Sequence, residues 1–172
     1  GNVSARCGDG FLITPSGRAA ADTGAADIVP VGLDGEPRGP GRPSSEWRIH
    51  RDLYRARPEV NAVVHAHSPF AVSLACLRRA IPPFHYMVAV AGGHDIPCAE
   101  YATFGSQALS DHILAAMQGR NACLMANHGL VAVGADLAVA LDLAVEVEAL
   151  CEQYWRACLM GEPVLLDAAE MD

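Results

Sequence analysis

Three histidines and one glutamate are the residues of this sequence best placed to do chemistry. His65 and His67 stand two apart at the end of the apolar run that starts at Ala62. Residues two apart on a strand share a face, so both imidazoles can converge on one ion. His128 follows a second apolar run, Ala122 to Met125, and precedes Gly129, which frees the backbone there. A catalytic zinc takes three protein ligands at ~2.0–2.1 Å and keeps one position open, and the three histidines meet that count. Spacing alone leaves a plainer reading open, because histidines near strand ends are often ordinary surface residues. Glu46 follows Pro43-Ser44-Ser45 and falls in the first turn of an expected helix. The helix dipole favours a carboxylate there, so a purely electrostatic role stands beside a catalytic one.

Anion binding is the second chemistry on offer. Ser44 and Ser45 bring hydroxyls and free amide groups to a helix start, an arrangement suited to phosphate. Thr14-Pro15-Ser16-Gly17 adds hydroxyls and a glycine that lets a ligand approach the backbone. The other histidines offer less. His50 and His112 fall within helices and read as surface or internally satisfied polar residues, and His94 lies in a Gly-rich turn without a clear partner. Gly92-Gly93 lacks the strand and helix of a dinucleotide fingerprint. Neither a serine nucleophile elbow nor an H-E-x-x-H motif occurs.

These residues must be held by elements that the pattern foretells. Val3–Cys7 and Phe11–Thr14 read as strands joined at Gly8-Asp9-Gly10. Gly17 to Ala26 follows as a loop. Ile28–Leu33 and Glu36–Arg38 form a second hairpin around Asp34-Gly35, and Gly39 to Pro43 is a breaker cluster. A helix capped by Ser44 or Ser45 runs to about Arg57, before Pro58. Ala62–His65 is a buried strand, and Ser68 with Pro69 opens a helix to about Leu77. Val88–Ala91 and Ile96–Ala99 read as strands around Gly92-Gly93. Ser106–Gln118 is a helix closed by Gly119. Ala122–Met125 and Leu130–Val133 flank Asn127-His128-Gly129, and Asp136 caps a long final helix. Hairpins mixed with helices predict a mixed, largely antiparallel sheet covered by helices.

Composition narrows the function further. With 172 residues the chain fits one domain, and 51% hydrophobic against 19% charged residues hints at subunit contacts. A net charge of −8 without a basic stripe excludes nucleic acid as a partner. An anionic substrate would need a local positive field: a metal, backbone amides or single arginines. The six cysteines form no C-x-x-C pair and read as buried reduced thiols of a cytoplasmic protein. The run from Leu137 to Leu159 carries five charges and is not a membrane span. No initiator Met opens the chain, so residues are expected to precede Gly1.

Five ordered blocks go beyond physics. Gly1-Asn2-Val3-Ser4, Ile13-Thr14-Pro15-Ser16-Gly17, Pro43-Ser44-Ser45-Glu46, Val63-Val64-His65-Ala66-His67 and Asn127-His128-Gly129-Leu130 resemble the class II aldolase/adducin-head family along the whole chain. The likeness leans to its L-fuculose-phosphate aldolase branch through Ser45-Glu46-Trp47-Arg48, the segment from Ile81 to Met87 and that from Ile96 to Gly105. The resemblance implies a three-layer α/β/α domain over 1–172, without the family's N-terminal helical segment and C-terminal tail. It implies one zinc on His65, His67 and His128, with Glu46 as ligand and as base. It places phosphate at Asn2, Ser16, Gly17, Ser44 and Ser45, and sends Tyr86 into a neighbour's active site within a homotetramer. The implied reaction is reversible cleavage of a ketose 1-phosphate to dihydroxyacetone phosphate and an aldehyde. A sugar-phosphate 4-epimerase, a methylthioribulose-phosphate dehydratase-like or decarboxylase-like enzyme, and a non-catalytic adducin-head-like domain are the rivals. The epimerase branch generally has Asp where Glu46 stands.

Overall fold

In the computed structural model, which describes residues 1–172, the apolar runs assemble into one seven-stranded sheet. Strand β1 (Asn2–Cys7) turns tightly into β2 (Gly10–Ile13), which pairs with β3 (Val29–Gly32). Strand β4 (Ala62–Ala66) lies between β1 and β7 (Gly129–Gly134), and β6 (Ala122–Met125) and β5 (Cys98–Ala99) follow. The order is β3-β2-β1-β4-β7-β6-β5, antiparallel throughout except for the parallel β5–β6 pair.

Alternation along β4 sorts the core into two layers. Ala62 and Val64 face α2 (Pro69–Ala75) and α4 (Leu137–Met160). Val63 faces α1 (Trp47–Ala56) and α3 (Gln107–Ala116) on the opposite side. This is a three-layer α/β/α arrangement. A final short turn, α5 (Ala168–Met171), packs Met171 against the α4 side. His65 continues the Val63 alternation and so points toward α1, which Glu46 immediately precedes. No helix is long and apolar enough to cross a membrane.

Several expectations are corrected. Val88–Ala91 is not a strand but the end of a 3-10 helix over Tyr86–Ala91. Val88 and Ala91 are buried while Ala89 and Val90 are exposed, a spacing of three rather than two. The β-branched apolar run could not reveal this, because short apolar runs suit either period. Helix α1 begins at Trp47, with Glu46 itself at the cap position, rather than at the serines. The segment from Glu36 to Arg38 touches β3 only through a Val31–Pro37 bridge and isolated backbone bonds. The cysteines are not uniformly buried: Cys123 and Cys151 are, whereas Cys7, Cys76 and Cys158 are exposed.

Candidate metal centre

His65 is aimed by the sheet. It pairs with Asn2 on β1 and Val131 on β7, and its Nδ1 donates to the Leu130 carbonyl at 2.8 Å. That bond leaves Nε2 as the free lone pair, a carbonyl partner of the kind that orients metal-binding histidines. The chain then leaves the strand and turns into α2, bringing His67 Nε2 to 2.9 Å from His65 Nε2. His128 lies in the tight β6–β7 turn, where Asn127 takes the left-handed conformation at φ 55°. The expectation that Gly129 frees the backbone is refined. Its φ is not positive, and what it supplies is close approach, because a Cβ there would collide with the Ala66 carbonyl.

Glu46 closes the group. Its Oε2 is 3.1 Å from His65 Nε2 and its Oε1 is 3.2 Å from His128 Nε2. The one ligand atom offered by each of the four residues lies within 4.8 Å of all the others. The cap position decides this geometry: the Glu46 side chain makes no bond to its own helix and turns inward. Burial works against ionisation of Glu46. His65 and His128 beside it, and the hydrogen bond from Asn2, outweigh that penalty and hold its carboxyl down at about 2. Burial pushes His67 down to about 4, with neighbouring His65 adding to the effect, and lowers His128 as well. Burial thus favours the neutral forms of His67 and His128, whose ring nitrogens can serve as ligands beside an ionised carboxylate.

The arrangement fits a divalent metal ion on internal grounds. With Nδ1 of His65 donating to Leu130, its Nε2 lone pair faces both His67 Nε2 and the Glu46 carboxylate. Donor atoms gathered at 2.9–3.2 Å need positive charge among them, which a proton or a metal ion can supply. Ligands ~2.0–2.1 Å from a tetrahedral ion lie about 3.3 Å apart, close to these separations. Glu46 Oε1 is buried with no hydrogen-bond partner, an orphan that a metal ion would satisfy.

Two cavities meet at Glu46. One, of about 300 Å³, is lined by Asn2, Ser16, Gly17, Arg18, Ser44 and Ser45, so the expected phosphate residues do share one wall. Arg18 on that wall is paired with Asp27. The Asn2 amide is otherwise engaged: Nδ2 donates to Glu46 Oε2 at 3.0 Å and Oδ1 meets His50 Nε2 at 2.5 Å. The other cavity, of about 340 Å³, is lined by Glu46, His67 and His128 together with Tyr101, Ala102 and Phe104. Tyr86 lines neither. It is 63% exposed and stacked on His85, and nothing within the chain brings it to the centre.

Residues 1–155 match the family described as Class II Aldolase and Adducin N-terminal domain. The chain belongs to this family. It is 59% identical over 172 residues to a 5-methylthioribulose-1-phosphate/5-deoxyribulose-1-phosphate aldolase of Rhodospirillum rubrum, covering all of this chain and 78% of that one. It is 45% identical over 164 residues to the L-fuculose phosphate aldolase of Escherichia coli K12, covering 95% of this chain and 76% of that one. A solved L-fuculose 1-phosphate aldolase superposes with a TM-score of 0.96 at 41% identity, over 99% of this chain and 81% of that one. For a member of this family, His50 is the residue that sequence reasoning undervalued. It is wholly buried, it reaches the Glu46 network through Asn2, and burial pushes it down to about 3. Its signal was the spacing Glu46, His50, Tyr54, which puts all three on one helix face. His112 and His94 lie elsewhere, on the Glu100 carbonyl and the Asp172 carboxylate.

Proposed function

We propose that this chain is a metal-dependent aldolase that cleaves a ketose 1-phosphate into dihydroxyacetone phosphate and an aldehyde. The observation that carries this reading is Glu46 Oε1, buried and unpartnered between a serine-lined cradle and a cavity with an aromatic wall. Zinc is the ion proposed, on His65, His67 and His128, because three imidazoles and a displaceable carboxylate suit its catalytic sites. The ion supplies positive charge that stabilises the oxygen of the substrate ketone as carbanion character develops beside it.

The protein's own groups do the rest. Ser16, Gly17, Ser44 and Ser45 receive the phosphate. In the synthetic direction Glu46 Oε1 takes a proton from the dihydroxyacetone phosphate carbon that bears the free hydroxyl, and that carbon bonds to the aldehyde. In cleavage Glu46 returns the proton to the same carbon. Tyr86, carried into this site by a neighbouring copy within a tetramer, donates a proton to the aldehyde oxygen during synthesis.

Tyr101, Ala102 and Phe104 favour a short apolar end on the aldehyde, such as a methyl or methylthio group. Lactaldehyde from fuculose phosphate ends in a methyl too, so it is the 59% identity to the Rhodospirillum rubrum enzyme that supports a 5-deoxy- or 5-methylthioribulose 1-phosphate over fuculose phosphate. The test is the zinc-loaded protein incubated with these three ketose 1-phosphates, with products identified and kcat/KM compared. Dihydroxyacetone phosphate released fastest from a pentulose substrate is the expected result. An epimerised or dehydrated product would replace the aldolase reading with one of its rivals. Absence of bound metal would return the non-catalytic domain.

A further inference from the structure

Behind Glu46 the interior holds a row of polar side chains that the proposed chemistry leaves unused. Glu46 at the cap of α1 and His50 and Tyr54 within it stand one above another, and Asn2 and Ser4 face them from β1. All five are buried. Tyr54 OH lies 2.7 Å from Ser4 Oγ, and Ser4 Oγ lies 2.6 Å from His50 Nδ1. His50 Nε2 lies 2.5 Å from Asn2 Oδ1, and Asn2 Nδ2 lies 3.0 Å from Glu46 Oε2.

The donor inventory of these groups fixes the direction of every bond. An ionised carboxylate only accepts, so Asn2 turns its NH2 toward Glu46 and its carbonyl toward His50. A carbonyl only accepts, so His50 carries its hydrogen on Nε2. His50 is neutral, being wholly buried with no carboxylate touching it, so its Nδ1 is bare and accepts the Ser4 hydroxyl. Ser4 then accepts from Tyr54. Each donor points toward Glu46, and reversing any link sets two lone pairs or two hydrogens against each other. Bonds aligned in one sense polarise one another.

We propose that Tyr54, Ser4 and His50 are positioning residues that lock the Asn2 amide in one orientation and so fix Glu46 by its Oε2. Oε1 alone is then left to meet the metal or a substrate proton. The proposal rests on the reading of Glu46 as the working carboxylate of a metal enzyme. A row serving only the core would lose stability on an apolar replacement of similar shape but leave zinc affinity and kcat of the folded variant unmoved.

The experiment compares His50→Leu with His50→Gln in the zinc-loaded protein. Glutamine can still donate to Asn2 Oδ1; leucine cannot. Partners behind metal ligands typically contribute ~10–100-fold to metal affinity or activity. His50→Leu is therefore expected to weaken zinc, measured by chelator competition, by about that factor. It should lower kcat similarly with KM within about threefold, while His50→Gln recovers most of both. The zinc measurement needs no substrate, so it tests the relay even if every ketose phosphate proves inert. A folded His50→Leu with unchanged zinc affinity and kcat overturns the proposal, as does equal loss in both variants. Should His50→Leu not fold, long-range 15N–1H correlation on the unsubstituted protein decides the matter. Hydrogen on His50 Nε2 with Nδ1 bare is expected, and hydrogen on Nδ1 overturns it.

Discussion

Glu148→Ala removes a carboxylate that α4 sends across to the start of α2, where Ser68 directly follows His67. Its Oε2 accepts from Ser68 Oγ at 2.6 Å and from Ala71 N at 2.8 Å, and its Oε1 accepts from Phe70 N at 2.9 Å. A hydrogen bond to a charged group contributes ~1.5–3 kcal/mol. Three such bonds do not add in full, because amides freed at a partly exposed helix start regain water. Loss of a helix cap by itself costs ~0.5–2 kcal/mol. Taken together these set the loss at about 2–4 kcal/mol. In a domain of this size 1 kcal/mol moves Tm by ~2–4 °C, so the drop should be roughly 4–16 °C. Thermal unfolding of the metal-free protein measures it. Zinc affinity should weaken several-fold in parallel, because Ser68 anchors the chain directly after His67. Glu148→Gln keeps one acceptor oxygen but turns an NH2 toward a backbone N–H, so it should recover less than half of the loss. A Tm drop below about 2 °C for Glu148→Ala would refute the reasoning, since it would mean that water replaces all three bonds without cost.

Three further perturbations test the centre. Glu46→Gln should keep metal on the three histidines but hold it more weakly, lower turnover by ~10²–10⁴ and abolish proton exchange at the dihydroxyacetone phosphate carbon; undiminished exchange would remove Glu46 as base. Gly129→Ala presses a methyl group onto the Ala66 carbonyl and forces β4 and β7 apart between His65 and His67. It should destabilise by ~1–3 kcal/mol and reduce zinc content, whereas a fully metallated, equally stable variant would contradict the close approach. The metal-free protein should lose stability as pH falls. His50 and His67 are held at about 3 and about 4, below the ordinary 6.5, so between those values the unfolded chain binds more protons. Their contribution is complete above about pH 6.5 and declines below it. Glu46, held at about 2 against an ordinary 4.5, adds a second loss below about pH 4.5. His50 alone gives a slope of at most ~1.4 kcal/mol per pH unit. A Tm that stays flat from pH 7 to pH 4 would contradict these assignments.

Legibility in the sequence followed range. Asp136 caps α4 by accepting from Val139 N, as its position foretold, and Ser106, read as the first helical residue, caps α3 by accepting from Leu109 N. A cap is a contact across three residues, so the local sequence contains both partners. Ser68 marks the start of α2 in the same way, yet the capping oxygens come from Glu148, eighty positions downstream. No local pattern holds that pairing.

The same division runs through the centre. Period-two alternation and two apolar strands were enough to bring out His65, His67 and His128 as candidates, since each lies beside a strand end that its neighbours specify. The residue types near Glu46 likewise announced an anion site. Tertiary structure alone decided that Asn2 stands opposite His65, which is a matter of register between strands sixty residues apart. Beyond what the family resemblance implied, it placed Glu46 as the fourth member of the histidine group, because a cap side chain can face solvent or core and only packing chooses. It also moved His50 from an ordinary helical histidine to the buried middle of a chain ending on Glu46. An imidazole's role is set by what surrounds it, and those surroundings come from β1.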